Sequence, residues 1–148
     1  MGDDKKRIAL FLCTGNSCRS QMAEAIVNNR MKNDWYAYSA GTKPAGYIHP
    51  KAIKALEEIH IKHQGISKHV DEFIEVEFDL VVTVCDSAAE ECPVWLGEGI
   101  RVHKSYPDPA KVVGTEKEIM DAFRSVRDDI LVEIPKLLSD NEAKTSRK

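Results

Sequence analysis

Ile8-Ala9-Leu10-Phe11-Leu12, followed at once by Cys13-Thr14-Gly15-Asn16-Ser17-Cys18-Arg19-Ser20, decides how the rest of the chain is read. The unbroken apolar run fits a strand buried on both faces, as in a parallel sheet. The residues after it are small and polar, and Gly15 and Asn16 suit left-handed backbone. From Gln21 to about Met31 the side chains Met22, Ala23, Ala25 and Ile26 recur at helical spacing. The order is strand, small-residue loop, helix.

The same alternation continues outward. Trp35 to Ser39 reads as a second strand, closed by Ala40-Gly41. Pro50 suits the first turn of a helix, with Ala52, Ile53, Ala55, Leu56 and Ile59 as its apolar face. Val70 to Val76 is ambiguous, Phe78 to Val84 is the strongest strand signal, and Ile100 to His103 is a weaker fourth strand. Ile119, Phe123, Val126, Ile130, Ile134 and Leu137 then step by three or four through a long final helix. Pro135 is expected to end or kink it. Residues 1–6 and 139–148 are polar and expected to fray. Strands alternating with helices predict a single α/β domain over 1–148, a three-layer sandwich with a parallel sheet and helices on both faces.

The chain has 148 residues, 43% hydrophobic and 30% charged, enough to bury a core. A net charge of −3 gives no basic footprint for nucleic acid. No apolar run approaches the roughly 18 residues of a membrane span, and the polar start, Met1 to Arg7, lacks a secretory apolar stretch. A cytoplasmic location is therefore expected, where the thiols of Cys13, Cys18, Cys85 and Cys92 stay reduced. Their spacings, C-x4-C and C-x6-C, do not match zinc knuckles. Two histidines, His60 and His63, could share a helix face but lack a third ligand, and His49, His69 and His103 form no constellation in sequence. No metal is expected from these residues.

In a parallel sheet, ligands bind at the carboxyl ends of strands. A loop of small residues there lets successive amides cradle an oxyanion, and the helix that follows adds its positive end. Thr14, Gly15, Asn16, Ser17, Cys18, Arg19 and Ser20 are the candidate oxyanion binders. Cys13 at the start of the loop feels the same field, which favours its nucleophilic thiolate. Arg19 offers a planar, permanently charged fork for two oxygens. Ser20 is expected to cap the helix, and its hydroxyl offers a hydrogen bond to the Cys13 sulfur. GxxxxGK and GxGxxG are absent, which argues against a nucleotide.

The stretch Cys13 to Glu24, reading CTGNSCRSQMAE, resembles the loop of the low-molecular-weight tyrosine phosphatases, and in particular of the thioredoxin-coupled arsenate reductases of that fold. The likeness continues through Tyr38-Ser39-Ala40-Gly41, Pro50-Lys51-Ala52-Ile53, Asp79-Leu80-Val81-Val82-Thr83 and Val126-Arg127-Asp128. The resemblance implies a four-stranded sheet of order 2-1-3-4. It implies arsenate as substrate, Cys13 as nucleophile, Arg19 as anion clamp, and Asp108 in Tyr106-Pro107-Asp108-Pro109 as general acid. It further implies a relay through a transient Cys13–Cys85 disulfide to Cys85–Cys92, with no bound cofactor. Thioredoxin would recycle that bond, with glutaredoxin as the alternative, and the chain would act as a monomer.

Were the Cys85–Cys92 segment a regular helix, its ends would stand about 10 Å apart, beyond the roughly 7 Å a disulfide spans. The segment is therefore expected to change shape with redox state. Cys18 reads as structural, with a liability to oxidation. Asn16, Glu24 and Ser39 match part of a potassium site found in some relatives, but Ser67 to Glu72 departs from it. Two rivals stay open: a phosphomonoesterase using Cys13, Arg19 and Asp108, and a non-catalytic oxyanion or redox sensor. Ala110 and Lys111 stand where phosphatases of this fold often carry tyrosines.

Overall fold

The computed structural model describes residues 6–86 and 92–145. Four strands, β1 (Arg7–Cys13), β2 (Trp35–Gly41), β3 (Leu80–Thr83) and β4 (Ile100–His103), form one sheet of order β2-β1-β3-β4. Every pairing is parallel. The helices are α1 (Arg19–Arg30), α2 (Pro50–Glu57) and α3 (Glu116–Asn141). The predicted order and parallel pairing are both present.

The pleat of β1 sorts its side chains between two cores. Ala9, Phe11 and Cys13 join a large cluster with Met22, Ile26, Leu56, Phe123, Ile130 and Ile134, beneath all three helices. Leu10 and Leu12 face the other way, onto Phe78, Val81, Trp95, Phe73 and Val76. That second layer is carried, among the described residues, by the 3-10 turn Val70–Phe73 and the Trp95 segment. The ambiguous stretch thus resolves as a short 3-10 turn capped by His69, whose Nδ1 accepts from the Asp71 amide at 3.0 Å.

Three expectations need correction. First, α3 runs unbroken through Pro135. Proline costs a helix interior about 3 kcal/mol. Ile130, Ile134 and Leu138, all fully buried, each contribute about 1.5–3 kcal/mol by leaving water, so packing outweighs the break. Second, the end of the chain does not fray from Ser139. The helix continues to Asn141, Trp35 Nε1 donates to Glu142 Oε2 at 2.9 Å, and Arg7 Nε donates to Thr145 Oγ1 at 2.8 Å. Residues 1–5 and 146–148 lie outside the described residues. Third, α2 ends at Glu57, so His60 and His63 share no helix face: His60 adopts φ 65° in the following turn, and His63 bonds Gln21 Oε1 at 2.7 Å.

The strand ends converge on one edge. Leu12 pairs with Thr83, and the Val84 amide donates to the Leu12 carbonyl at 2.8 Å. Cys13 and Cys85 thus follow the ends of two adjacent strands, Cys13 level with Val84. That edge is where the polar chemistry collects.

Candidate active site

The loop 14–18 is held from outside. Carbonyls of Thr14, Gly15 and Ser17 accept from the amides of Lys43, Ala45 and His49 at 2.9, 2.9 and 3.0 Å. Each peptide is planar and trans, so its N–H points opposite its C=O. The amides of Gly15, Asn16 and Cys18 are thereby turned to the concave side, which is the geometry of an oxyanion cradle. Of the two residues expected in left-handed backbone, only Asn16 takes it, at φ 49°. Gly41, paired with Cys13, packs so tightly beneath the loop that a Cβ there would overlap the Thr14 carbonyl oxygen. This supporting glycine was legible only as part of a resembling motif.

Cys13 and Ser20 are both buried, and Cys13 Sγ lies 2.8 Å from Ser20 Oγ. Asn16 Nδ2 donates to the same Oγ at 2.8 Å. With a lone pair of Ser20 taken by Asn16, its single hydroxyl hydrogen is available to the Cys13 sulfur. Ser20 is the second residue of α1, and Cys18 stands at the N-cap without a side-chain cap bond. The expected capping role is therefore wrong; the hydroxyl turns toward the Cys13 sulfur instead. Asn16 Oδ1 is fixed in turn by Gln21 Nε2 at 3.0 Å and the Lys68 amide at 2.8 Å.

Arg19 is 3% exposed, so its direction is set by protein contacts. One terminal nitrogen donates to the Tyr106 carbonyl at 3.1 Å, and the other lies 3.7 Å from Asp108 Oδ2. The Tyr106 hydroxyl donates to Glu133 Oε1 at 2.9 Å, and burial holds its ionisation well above the usual tyrosine range. Tyr106 thus ties Arg19 to α3, a link that sequence reading missed. Asp108 Oδ1 accepts from the Ala110 amide at 3.0 Å, which fixes the carboxylate at the head of the 3-10 turn Pro109–Lys111.

Two adjoining depressions share Gly15, Arg19 and Asp108. One, of about 210 Å³, is also lined by Cys13, Ser17, Cys18, Tyr47 and His49. The other, of about 370 Å³, adds Thr14, Thr42, Lys43 and Lys111. The two lysines bring positive charge to its mouth, which suits an anionic ligand. His49 was not expected here. Burial, aided by Lys51, pushes its pKa down, and Asp108 opposes that. Cys18 lies in the wall with its thiol pushed up to about 12, chiefly by burial and then by Asp108. It stays protonated at neutral pH.

Cys85 and Cys92 form a disulfide with Cα atoms 5.9 Å apart, while Cys13 and Cys18 are free. Cys85 is buried in the same cluster as Cys13, with Cys92 packed at its margin. The intervening residues 87–91, on which the expectation of a redox-dependent shape falls, lie outside the described residues.

Asn16, Glu24 and Ser39 do come together, but as a protein network. Ser39 Oγ donates to Glu24 Oε1 at 2.7 Å, and the Lys68 ammonium stands 4.0 Å from the same oxygen. Burial raises the Glu24 pKa, against the opposing pull of Ser39 and Lys68. Oxygens already bonded to protein donors, beside a lysine cation, do not fit potassium, and no step below uses it.

The family of low molecular weight phosphotyrosine protein phosphatases matches residues 8–147. An arsenate reductase of Halalkalibacterium halodurans is 44% identical over 126 residues, covering 84% of this chain and 90% of that protein. That of Bacillus subtilis is 42% identical over 130 residues, covering 85% and 91%. Among solved structures, an arsenate reductase from Archaeoglobus fulgidus superposes with a TM-score of 0.75 at 30% identity, covering 88% of this chain and 98% of that one.

Proposed function

The chain belongs to the low molecular weight phosphotyrosine protein phosphatase family, and from that membership and its arsenate reductase relatives we propose a reduction of arsenate to arsenite by a three-thiol relay. The observation that carries the relay is the Cys85–Cys92 disulfide, with a free Cys13 buried in the same cluster as Cys85.

The amides of loop 14–18 and Arg19 hold the oxyanion against Cys13. Its thiolate attacks arsenic, and Asp108 gives a proton to the departing hydroxide, which leaves as water. Cys85 thiolate then attacks the Cys13 sulfur. The sulfur–arsenic bond breaks, its electron pair reduces As(V) to As(III), arsenite leaves, and a Cys13–Cys85 disulfide remains. Cys92 thiolate attacks Cys85, releasing Cys13 as thiolate and forming Cys85–Cys92. An external dithiol protein of the thioredoxin class, with glutaredoxin as the alternative, reduces that bond. All steps run on thiols and one carboxylic acid. The enzyme works as a monomer in the cytoplasm, where such dithiols operate; no described helix is long and apolar enough to cross a membrane.

NADPH oxidation with thioredoxin and thioredoxin reductase, with and without arsenate, tests the reading. Arsenate-dependent oxidation that is lost in Cys13→Ser and in Cys85→Ser is expected. Cys92→Ser should complete one turnover and trap Cys13–Cys85, detectable by peptide mapping. Failure with thioredoxin but turnover with glutaredoxin reassigns the reductant. Failure with both, together with p-nitrophenyl phosphate hydrolysis that depends on Cys13 and Asp108, replaces the reading with a phosphomonoesterase.

A further inference from the structure

The His63 side chain is 8% exposed, and no step of the proposed chemistry uses it. Its Nε2 lies 2.7 Å from Gln21 Oε1. Glu24 Oε2 stands 3.9 Å from the same nitrogen, beyond hydrogen-bond reach, so Gln21 is the partner. Gln21 Nε2 donates to the backbone carbonyls of Ile66 and Asn16, at 3.0 and 3.2 Å, and to Asn16 Oδ1 at 3.0 Å. Asn16 Nδ2 donates to Ser20 Oγ at 2.8 Å, and Ser20 Oγ lies 2.8 Å from Cys13 Sγ. An unbroken line of hydrogen bonds therefore runs from His63 to the Cys13 sulfur.

The line has a direction. Carbonyl oxygens take the Gln21 amide hydrogens, so Oε1 is the acceptor that faces His63. Two acceptors do not bond each other, so the His63 Nε2 carries the hydrogen. Asn16 Oδ1 accepts from Gln21 and from the Lys68 amide, which turns Nδ2 toward Ser20. Burial, aided by Lys68, pushes the His63 pKa down. At neutral pH the ring is therefore the neutral tautomer with Nε2 protonated and Nδ1 bare. Gly65 makes the approach possible: a Cβ there would stand 2.5 Å from both Gln21 Oε1 and His63 Nε2, and would part the pair. Gln21 is fully buried. Without a donor at Oε1 its amide must turn or shift to find one, and that movement releases Asn16.

We propose that His63 is a positioning residue for Cys13: through Gln21, Asn16 and Ser20 it keeps the Ser20 hydroxyl hydrogen on the Cys13 sulfur, and so sets how fast that thiol attacks. Backbone bonds from residues 43–49 already shape the loop; His63 adds the sense in which each amide and hydroxyl along the line is turned. It touches no substrate and transfers no proton. The role rests on the reading of Cys13 as the attacking thiol, which arsenate reduction and phosphomonoester hydrolysis share.

The test reads alkylation of Cys13 by iodoacetamide at neutral pH, in the full chain carrying Cys85→Ser and Cys92→Ser. His63→Leu, which keeps bulk and loses the donor, should slow the rate roughly 2–30-fold, the span of couplings carried by such contacts. His63→Gln, whose amide can donate to Gln21 Oε1, should recover the parental rate. Beside Ser20→Ala, His63→Leu should slow the rate no further, because the line is already cut. Circular dichroism confirms that each variant is folded. A folded His63→Leu chain that alkylates at the parental rate overturns the proposal. So does a loss that persists in full beside Ser20→Ala, or one that His63→Gln does not relieve; either marks His63 as a strut for residues 61–68 alone. One measurement needs no variant of His63. In the nitrogen NMR spectrum of the parent chain its ring should show Nε2 protonated and Nδ1 bare, and the opposite tautomer overturns the proposal. Arsenate turnover is not read, so failure here leaves the reductase assignment untouched, and the reverse also holds.

Discussion

Replacing Ser20 by alanine isolates what the loop after β1 does for Cys13, the proposed nucleophile. Ser20 Oγ lies 2.8 Å from Cys13 Sγ and accepts from Asn16 Nδ2 at 2.8 Å, which leaves its hydrogen for the sulfur. Both partners are buried, so water does not replace the lost donor. A hydrogen bond to a charged group contributes about 1.5–3 kcal/mol. At about 1.4 kcal/mol per factor of ten, Ser20→Ala should slow attack by the Cys13 thiolate roughly 10–100-fold at neutral pH. The assay is alkylation by iodoacetamide in a chain that also carries Cys85→Ser and Cys92→Ser. Cys18, its thiol pushed up to about 12, stays silent at neutral pH. The same substitution strands the Asn16 amide, so a lower melting temperature should accompany the slower rate. Equal alkylation rates at neutral pH, with the fold intact, would refute the assignment of the Ser20 proton to the sulfur.

Other measurements reach the scaffold. Glu58, bonded first to Arg124 and also to Arg127, has its carboxyl held down to about 2. A depressed folded-state pKa stabilises above the ordinary carboxylate value and fades as pH falls through the folded one. Glu58→Gln should therefore lower the melting temperature at pH 7 by a small margin, since such surface pairs contribute under about 1 kcal/mol. That gap should close by pH about 2; a gap independent of pH would contradict the pairing. Ending the chain at Asp140 removes the Glu142 acceptor of the Trp35 indole. A stranded buried donor costs about 1–3 kcal/mol, or roughly 2–12 °C in melting temperature for a chain of this size. An unshifted melting curve would show that the tail is not anchored there. Pro135→Ala should raise stability by about 1 kcal/mol or more, because it restores a donor inside a packed helix; calorimetry showing a loss would mean the ring itself is packed. Tyr106→Phe keeps the carbonyl that holds Arg19 but releases Glu133. It should raise the KM for arsenate more than it lowers kcat, and an unchanged KM would disconnect α3 from the clamp.

What the sequence settled by itself was local. A buried run at Ile8–Leu12, then Cys13 to Ser20, then a helical period specify a strand, a turn and a helix whose geometry follows from adjacent residues. An anion cradle is made by consecutive amides, so the proposal of one needs only the eight letters from Cys13 to Ser20. Strand order and the cysteine relay came from resemblance rather than from spacing. The capping role given to Ser20 failed because a hydroxyl at a helix start has two candidate partners, and only the folded loop puts the Cys13 sulfur nearer. The tertiary structure alone decided what depends on elements far apart in the chain: carbonyls of the loop turned outward by residues 43–49, Arg19 held by the carbonyl of Tyr106, Trp35 closed over by Glu142, and His63 brought to the side chain of Gln21. No periodicity reports such contacts. They exist because a parallel sheet sets strands of distant sequence about 4.8 Å apart, and burial of the apolar faces then fixes which polar groups meet at its edge.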